Sequence, residues 1–352
     1  MCQELYCRIE VNFNFNIIEI LCYSYVNEML IELRKVETMM PFDLTENQNK
    51  NESVLCVGLV CIDNFFVVEK YPEEDSDQPA SEAFKARGGN AANNCTVLAQ
   101  ILQDVTFLGT LPRPRFGNQY DFVINDFKAN NVKVSESCPI RHGASWPEAV
   151  VIISRESGSR TIVYNPGEQE PLKASEFALA LESMPSYFKW IHFEARTFVK
   201  DMLCYLHSDR NAESTILSIE IEKANQGFES LIPYGDVIFI SKDVSEANGA
   251  RSLTEAVDIF KRHQRKPNSR LICTWGKKGA GSIDKDGQVL FVQAEHVPNI
   301  LDSCGAGDTF VACVIASLIK GRSLKTALET GCRIAAKKIG QRGFQNLGDL
   351  FL

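Results

Sequence analysis

The sequence predicts an α/β fold with a mainly parallel central sheet, helices on both faces and a small additional β-sheet. Residues 54–62 form a continuous apolar run, which is typical of a strand buried on both faces. Strand and helix patterns alternate between residues 190 and 275, which predicts a parallel sheet. Residues 149–154 and 160–165 alternate in polarity around a polar turn and predict a β-hairpin.

The other elements follow from apolar periodicity and turn residues, taken in chain order. Asp63 ends the first predicted strand, and residues 65–70 predict a more exposed strand. Asn130 and Asn131 close one helix in the manner of a left-handed cap, and Gly321 closes another. Predicted helices span residues 91–102, 116–131, 199–209, 228–231, 253–264, 308–320 and 325–340. Further predicted strands span residues 105–108, 190–194, 216–220, 236–241 and 271–275.

Length, charge and cysteine usage limit the classes of function. A chain of 352 residues can form one or two domains. Its net charge of −8 argues against a nucleic-acid-binding surface as the main function. The twelve cysteines include no Cys-x-x-Cys pair and no zinc-type cluster with histidine, so we expect free thiols in a reduced, cytoplasmic protein.

The first fifty residues differ from the rest of the chain. Residues 13–33 are rich in apolar side chains but are interrupted by asparagine and glutamate. They lack the basic start of a signal peptide and the uninterrupted length of a membrane span, so we expect no membrane association. We therefore expect residues 1–50 to be an N-terminal extension outside the fold and residues 51–352 to be the catalytic domain.

A glycine-rich segment before the predicted helix 308–320 has the properties of an anion site. Gly305, Ala306 and Gly307 are small enough for their backbone N–H groups to approach a bound anion. A helix N-terminus stabilises negative charge, and Asp308 beside it could take a proton from an attacking hydroxyl. These features suggest phosphoryl transfer to an alcohol. Alternatively, the segment is an ordinary turn in which Asp308 caps the helix.

A second polar segment follows the first predicted strand. A glycine pair ending at Gly89 precedes Asn90 and Asn93, which are three residues apart and share a face on the first turn of a helix. Their amides can both donate and accept hydrogen bonds, which suits sugar hydroxyls, and Asp63 precedes them at a strand end. The alternative is that the asparagines only cap the helix.

Two further positions could contact phosphate or nucleotide. Arg160 begins a predicted strand and is either a solvated charge or a phosphate clamp. Gly276, Lys277, Lys278 and Gly279 form a turn between two predicted strands, which is either a plain connection or a place where backbone meets a nucleotide. The Rossmann fingerprint and the Walker A sequence are both absent, so a P-loop enzyme is excluded.

The early and late glycine motifs together resemble a known family. Residues 87–93, Arg-Gly-Gly-Asn-Ala-Ala-Asn, and residues 302–310, Asp-Ser-Cys-Gly-Ala-Gly-Asp-Thr-Phe, resemble the two signatures of the ribokinase-like, PfkB-type carbohydrate kinases. The pair is specific because both motifs occur in this order and at this separation. The resemblance covers about residues 54–344. Finer similarity to the animal ketose kinases of this family lies in residues 54–60, 70–76, 95–98, 189–196, 234–237 and 241–244.

This resemblance implies a ribokinase-like three-layer fold and an activity. The small sheet would be a β lid, built from about residues 64–87 and 149–165, that closes over the sugar and joins two chains into a homodimer. The reaction would be ATP-dependent phosphorylation of a ketose, D-fructose, at its C1 hydroxyl to give fructose 1-phosphate. The resemblance also implies Mg²⁺ with ATP and activation by K⁺, and no metal ligand is assigned.

The resemblance also implies roles for individual residues. Asp308 would be the general base, and the backbone of Gly305, Ala306 and Gly307 would form the anion hole for the transferring phosphoryl group. The sugar would be held, together with Asp308, by Asp63, Gly89, Asn90 and Asn93. The nucleotide would contact, together with the anion hole, Arg160, Gly276, Lys277, Lys278 and Gly279.

Some positions depart from the ketose kinases and leave alternatives open. Lys277 and Lys278 stand where those enzymes have acidic residues, Val311 replaces an asparagine, and Ile339 replaces a cysteine near the adenine pocket. The chain could phosphorylate another sugar or a nucleoside, or it could be a weakly active regulator that binds sugar or nucleotide. Because Asp308 and the glycine-rich segment are intact, the sequence favours an active kinase.

Overall fold

A computed structural model describes residues 52–184, 188–208, 214–224, 226–263 and 265–351. The predicted N-terminal extension, residues 1–50, lies outside these residues. None of the helices within the described ranges is both long enough and apolar enough to cross a membrane.

The described chain alternates strands and helices. The strands are β1 Val54–Val57, β2 Cys61–Val68, β3 Glu82–Gly88, β4 Val105–Leu108, β5 Leu111–Arg113, β6 Lys133–Val134, β7 Ile140–His142, β8 Glu148–Ser154, β9 Arg160–Asn165, β10 Trp190–Glu194, β11 Ile216–Ile221, β12 Val237–Ile240, β13 Arg270–Thr274, β14 Ala280–Ile283 and β15 Val289–Val292. The α-helices are α1 Asn90–Leu98, α2 Gln119–Ala129, α3 Ala174–Ser183, α4 Val199–Ser208, α5 Lys242–Ala247, α6 Leu253–Lys261, α7 Ala306–Ile319 and α8 Leu324–Ile339. Short 3₁₀ helices are Phe228–Tyr234, Gly276–Lys278 and Gly348–Leu350.

The central sheet is large and mostly parallel, as predicted. Its nine strands run in the order β15-β14-β13-β12-β11-β10-β1-β4-β6. Neighbouring strands are parallel except for the antiparallel pairs β13–β14 and β14–β15. Every residue of β1, β4, β10 and β12 is buried. Because successive side chains point to opposite faces, both faces of the sheet are covered, and the predicted α/β class is confirmed.

The register places acidic side chains at one edge of this sheet. Glu194 at the end of β10 is aligned with Glu220 near the end of β11. β1 and β12 run parallel to these strands, so their carboxyl ends lie at the same edge. In open α/β sheets, ligands bind outside the carboxyl ends of the strands. The site is therefore expected at this edge.

The small sheet corrects one prediction. Residues 54–62 are not one strand, because the chain leaves the central sheet after β1 and enters the small sheet as β2. The bend forms where Leu59 N donates to Glu194 Oε2 at 2.8 Å. A Cβ on Gly58 would lie 2.6 Å from the same oxygen, so the close approach requires glycine. Asp63 consequently lies inside β2 and does not end a strand.

The small sheet has the order β3-β2-β8-β9. The predicted hairpin is confirmed, since β8 and β9 are antiparallel, and β2 pairs in parallel with β8 and antiparallel with β3. Predicted helix ends shift by a few residues, and the largest functional consequence is that α7 begins at Ala306 and not at Asp308. The left-handed Asn131, with φ 55°, is confirmed after α2.

Candidate active site

A cavity of about 520 Å³ lies between the carboxyl edge of the central sheet and the small sheet. Its size is typical of a small-molecule site. The central sheet contributes Glu220 and Ile240, and the small sheet contributes Ala149 and Ile162. Most of the predicted site residues line it: Asp63, Gly89, Asn90, Asn93, Arg160, Gly305, Gly307 and Asp308.

The late glycine motif forms the N-terminus of α7. Gly305 is the N-cap, with a left-handed φ of 75°, and a Cβ there would lie 2.4 Å from the Phe344 ring. Asp308 is the third residue of the helix and makes no capping bond, so the alternative that it only caps the helix is wrong. The first N–H groups of a helix have no intrahelical acceptor, and a Cβ added to Gly307 would meet nothing within 4 Å. The Gly307 N–H is therefore open to an anion, whereas the Ala306 N–H donates to the Ser303 carbonyl at 3.4 Å.

Asp308 is joined to the early motif by a short hydrogen-bond chain. Asn93 Nδ2 donates to Asp308 Oδ2 at 2.7 Å. Arg87 Nη1 donates to Asn93 Oδ1 at 3.3 Å, which fixes the amide with its nitrogen toward the carboxylate. Arg87 is itself held by Asp126, 2.6 Å from its Nε, and Asn94 Nδ2 donates to the Asp308 carbonyl at 2.9 Å. The two predicted motifs therefore meet at one carboxylate.

Burial raises the pKa of two of the aspartates that line the cavity, Asp308 and Asp63. Burial, with a smaller contribution from the nearby Glu220, raises the pKa of Asp308 well above its ordinary value, while the Asn93 hydrogen bond opposes this. Burial also raises the pKa of Asp63, while the Cys61 thiol and the Arg87 guanidinium act in the opposite direction. A carboxylate with a raised pKa accepts a proton more readily, as a general base near neutral pH requires.

Glu220 is a cavity residue that the sequence did not single out. Burial and the neighbouring Glu222 raise the pKa of Glu220 well above its ordinary value, and its Oε2 has no hydrogen-bond partner among the described residues. This oxygen lies 3.8 Å from Nε2 of His192, and burial lowers the pKa of that imidazole to about 4. Asn93 thus donates a hydrogen bond to Asp308, whereas none of the described residues donates to Glu220 Oε2.

His192 belongs to a buried hydrogen-bonded cluster. Trp190 Nε1 donates to Ser218 Oγ at 2.7 Å, and the same hydroxyl oxygen lies 2.8 Å from His192 Nδ1. The other ring nitrogen, Nε2, faces Glu220. The sequence signal for this cluster is a serine and a glutamate, Ser218 and Glu220, within an otherwise apolar strand, β11.

The asparagines of the early motif do not cap α1. Gly89 is the N-cap, with φ 99°, and no side chain caps the helix. Asn90 Nδ2 instead donates to Glu222 Oε2 at 2.9 Å, and Lys223 Nζ lies 2.9 Å from the same oxygen. The capping alternative is wrong, and both amides face the cavity.

Arg160 bridges the small sheet and the late motif. Its Nη1 donates to Ser303 Oγ at 2.6 Å, two residues before Gly305. A second connection between the small sheet and the segment after α8 is the contact of Glu82 with Arg342. Both contacts span from strands of the small sheet to the body of the fold, so they hold the small sheet over the cavity.

The structure does not bring the predicted nucleotide turn into this cavity. Gly276–Lys278 is a 3₁₀ helix between β13 and β14, and the side chains of Lys277 and Lys278 are exposed. Gly279 is buried with φ 91°, against the Val292 carbonyl. The nearest cavity residue in sequence is Thr274, and Ala306 is likewise absent from the lining. A nucleotide role for this turn stays a prediction.

Residues 51–349 match the family described as pfkB family carbohydrate kinase. The chain belongs to this family. Mouse ketohexokinase is 37% identical over 306 residues, which are 85% of this chain and 99% of the mouse protein. These findings confirm the predicted resemblance and establish that the chain is a carbohydrate kinase.

Solved structures confirm the fold of this pfkB family kinase. Ribokinase from Giardia lamblia superposes with a TM-score of 0.71 at 16% identity and covers 85% of this chain and 98% of that protein. Ribokinase from Cryptococcus neoformans in complex with ADP gives 0.67 at 18% identity, with 85% and 98% covered. At such identities the likeness concerns the fold alone, and it confirms the ribokinase-like three-layer prediction.

Proposed function

We propose that this kinase transfers the γ-phosphoryl group of ATP to the C1 hydroxyl of a ketose, D-fructose, giving fructose 1-phosphate and ADP. The observation that carries the proposal is the 2.7 Å hydrogen bond between Asn93 and Asp308, which joins the predicted sugar side to the predicted base. The 37% identity to mouse ketohexokinase supports a ketose as the acceptor. Asp63, Gly89 and Asn90 surround the same cavity.

The proposed chemistry needs a base and hydrogen-bond donors that stabilise the negative charge of the phosphoryl group. Asp308 takes the proton of the C1 hydroxyl while that oxygen bonds to the γ-phosphorus, and the bond from the γ-phosphorus to the bridging oxygen breaks to release ADP. The proton later passes from Asp308 to solvent. The N–H groups of Gly305, Ala306 and Gly307 stabilise the charge on the transferring group, because the start of α7 holds them in place beside the cavity.

The residues around the cavity fit Mg²⁺ carried by ATP. Mg²⁺ is usually held by one or two carboxylates together with substrate phosphates. Glu220, with its unpartnered Oε2, and Glu222 are carboxylates at the cavity and would hold the ion. Bound Mg²⁺ would neutralise phosphate charge. Chelation is expected to abolish turnover and MgCl₂ to restore it, and a titration with KCl tests the proposed activation by K⁺.

An acceptor panel tests the reaction. Purified protein, ATP and Mg²⁺ are combined with fructose, tagatose, ribose or adenosine, and ADP release is followed. We expect fructose to give the highest kcat/KM and the product to carry phosphate at C1 by ³¹P and ¹³C NMR. Higher kcat/KM with ribose or adenosine would replace the ketose with another acceptor. Fructose binding by calorimetry without any turnover would instead support a regulator.

We also propose that two copies associate through the small sheet. Ala149 and Val151 line the cavity, so Val150 between them faces the other way, and its partner on β9 is Val163. Val150 and Val163 are 39% and 61% exposed, and Phe66 is 39% exposed, which is an apolar outer face that a second copy would cover. Light scattering should give a dimer for the parent and a monomer for Val163→Asp.

The domain limits and the compartment are proposed on separate grounds. The family match begins at residue 51, which supports residues 51–352 as the kinase domain and residues 1–50 as an extension. Deleting residues 1–39 is expected to leave kcat and KM unchanged, and loss of active protein would show that the segment belongs to the fold. The nine cysteines in the described part are free thiols, which supports a cytoplasmic location.

A further inference from the structure

Lys338 is the one lysine of the described chain that is fully buried. It lies on α8, and its Nζ is 2.6 Å from Asp302 Oδ2 and 3.1 Å from the Asp302 carbonyl oxygen. The lysine side chain has no exposed surface, and that of the aspartate is 9% exposed. Lysine is almost never fully buried unless it is paired. The pair lies outside the reacting groups described above.

Asp302 is the first residue of the segment that leads into the anion site. Its Oδ1 accepts a hydrogen bond from Cys304 N at 2.9 Å, which folds the segment into a turn. Its own N–H donates to the Ile339 carbonyl at 3.1 Å. Lys338 donates to the other carboxylate oxygen and to the carbonyl oxygen, so three bonds fix the start of the segment to the last two residues of α8.

A second contact from Lys338 reaches the far end of the same segment. Its Nζ lies 5.3 Å from the centroid of the Phe344 ring. That ring packs against Gly305, where a Cβ would lie 2.4 Å from it. The Phe344 carbonyl is held by Gln100 Nε2 at 2.7 Å. The Lys338 ammonium group therefore contacts both ends of the turn from Asp302 to Gly305, directly at Asp302 and through the Phe344 ring at Gly305.

We propose that Lys338 is a positioning residue for phosphoryl transfer: its ammonium group fixes Asp302 so that the N–H groups at the start of α7 point at the transferring phosphoryl group. The inference rests on the proposed role of Gly305, Ala306 and Gly307 as the anion hole. The ammonium group also neutralises the Asp302 carboxylate, which would otherwise be an unpaired negative charge beside a site for an anion. Displacements of about 1 Å can lower a rate by about 10²-fold, so bracing of this kind has kinetic consequences.

A purely structural role makes a different prediction. Removing one partner of a buried ion pair is strongly destabilising, whereas replacing both partners with neutral groups is often neutral or stabilising. The double variant Lys338→Met/Asp302→Asn removes both charges. Asparagine keeps a side-chain oxygen to accept from Cys304 N, and methionine fills the lysine's volume without a donor. This variant therefore separates positioning from folding.

The experiment compares the parent, the double variant and Lys337→Met, a matched control at the exposed neighbouring position on α8. In the double variant we expect kcat to fall about 10²-fold, the effect of a displacement of about 1 Å, with the KM for the sugar unchanged. Its Tm is expected to stay within a few degrees of the parent's. A double variant with the parent's Tm and the parent's kcat would overturn the proposal.

A binding measurement keeps this test independent of the acceptor. ADP with aluminium fluoride mimics the transferring phosphoryl group, and we expect the double variant to lose affinity for it by at least tenfold while affinity for ADP alone is retained. Turnover is measured with whichever acceptor the parent uses. A parent that phosphorylates no ketose would refute the proposed acceptor. The ratio of the affinity for ADP with aluminium fluoride to the affinity for ADP alone would still decide the role of Lys338. The same ratio in the double variant and in the parent would refute that role.

Discussion

The acceptor side of the cavity and the Gly276–Lys278 turn differ in how far the protein fixes its own side chains. On the acceptor side, Asn93 and Asp308 are 8% and 6% exposed and are bonded to each other across 215 residues of sequence. On the turn, Lys277 and Lys278 are exposed, and neither side chain has a hydrogen-bond or ion-pair partner within the described ranges. The acceptor side is therefore preorganised, whereas the two lysine side chains of the turn extend into solvent.

This difference accounts for two of the positions at which the chain departs from the ketose kinases that it resembles, Lys277 and Lys278. A buried amide or carboxylate that loses its partner costs free energy, whereas an exposed lysine that replaces an acidic residue costs little. The lysines stand at the exposed turn, whereas Val311, which is 2% exposed, is a departure within the lining of the cavity and is not explained by exposure. Substitutions are therefore expected to have effects that decrease from the buried carboxylate to the exposed turn.

The largest effect is expected for Asp308→Asn. The amide keeps the shape of the side chain but cannot take a proton, so kcat should fall by about 10²-fold or more. Sugar affinity, measured by calorimetry, should change little because the cavity keeps its shape. Asp258→Asn on the exposed face of α6 is the matched control and should leave kcat unchanged. An Asp308→Asn enzyme with the parent's kcat would exclude this residue as the base.

The second largest effect is expected for Asn93→Ala, as a loss of activity with a change in its pH dependence. A hydrogen bond to a charged group contributes about 1.5–3 kcal/mol, so kcat/KM should fall about 10- to 100-fold. The Asn93 bond lowers the pKa of Asp308, and its removal therefore raises that pKa further. The base acts only when it is deprotonated. As pH falls, the variant should therefore lose activity at a higher pH than the parent does.

The pH profile of kcat for Asn93→Ala is compared with that of Asn118→Ala. Asn118 is exposed, and its side chain makes no capping bond to α2, so its profile should coincide with the parent's. An acid limb that stays in place in the Asn93 variant, or moves to lower pH, would contradict the pairing of this amide with the base.

These side chains show what could be predicted from the sequence. The two glycine motifs were found because their residues are consecutive, and the apolar strands of the central sheet were found because burial on both faces leaves a continuous pattern. The same pattern hid the bend at Gly58, because the first two residues of β2, Cys61 and Ile62, are as buried as β1. That bend depends on the hydrogen bond from Leu59 N to the Glu194 carboxylate, and the two residues are 135 positions apart in the sequence.

The missed residues have long-range partners. In the sequence, Arg87 is only part of a motif, and the structure shows that its guanidinium donates to Asn93. Glu220 is a glutamate in a strand, and the structure shows that its carboxylate lies next to His192. Lys338 lies in an amphipathic helix, where a lysine is expected to be exposed. Its burial follows from the position of Asp302, which helix periodicity does not report. Partner identity, and not element type, was the information that the sequence lacked.

A smaller effect is expected for Gly88→Ala, which acts on Asp63. A Cβ at residue 88 would lie 2.2 Å from Asp63 Oδ2, so the carboxylate must move. Loss of one hydrogen bond to a charged group, about 1.5 kcal/mol, predicts a rise of about tenfold in the KM for the sugar with a smaller change in kcat. Gly340→Ala is the control, since its Cβ would meet no atom closer than 3.5 Å. An unchanged sugar KM, with the parent's Tm, would remove Asp63 from the sugar site.

The smallest effect is expected at the turn, for Lys277→Glu and Lys278→Glu. An exposed charge pair contributes at most about 1 kcal/mol, so the KM for ATP should rise no more than about fivefold. Salt screens such interactions, so the difference from the parent should vanish near 1 M ionic strength. Lys285→Glu, in the next exposed turn, is the control and should not change the KM for ATP. A rise above tenfold that persists in high salt would show that the turn contacts the nucleotide directly, and the two regions would then be equally fixed once ATP is bound.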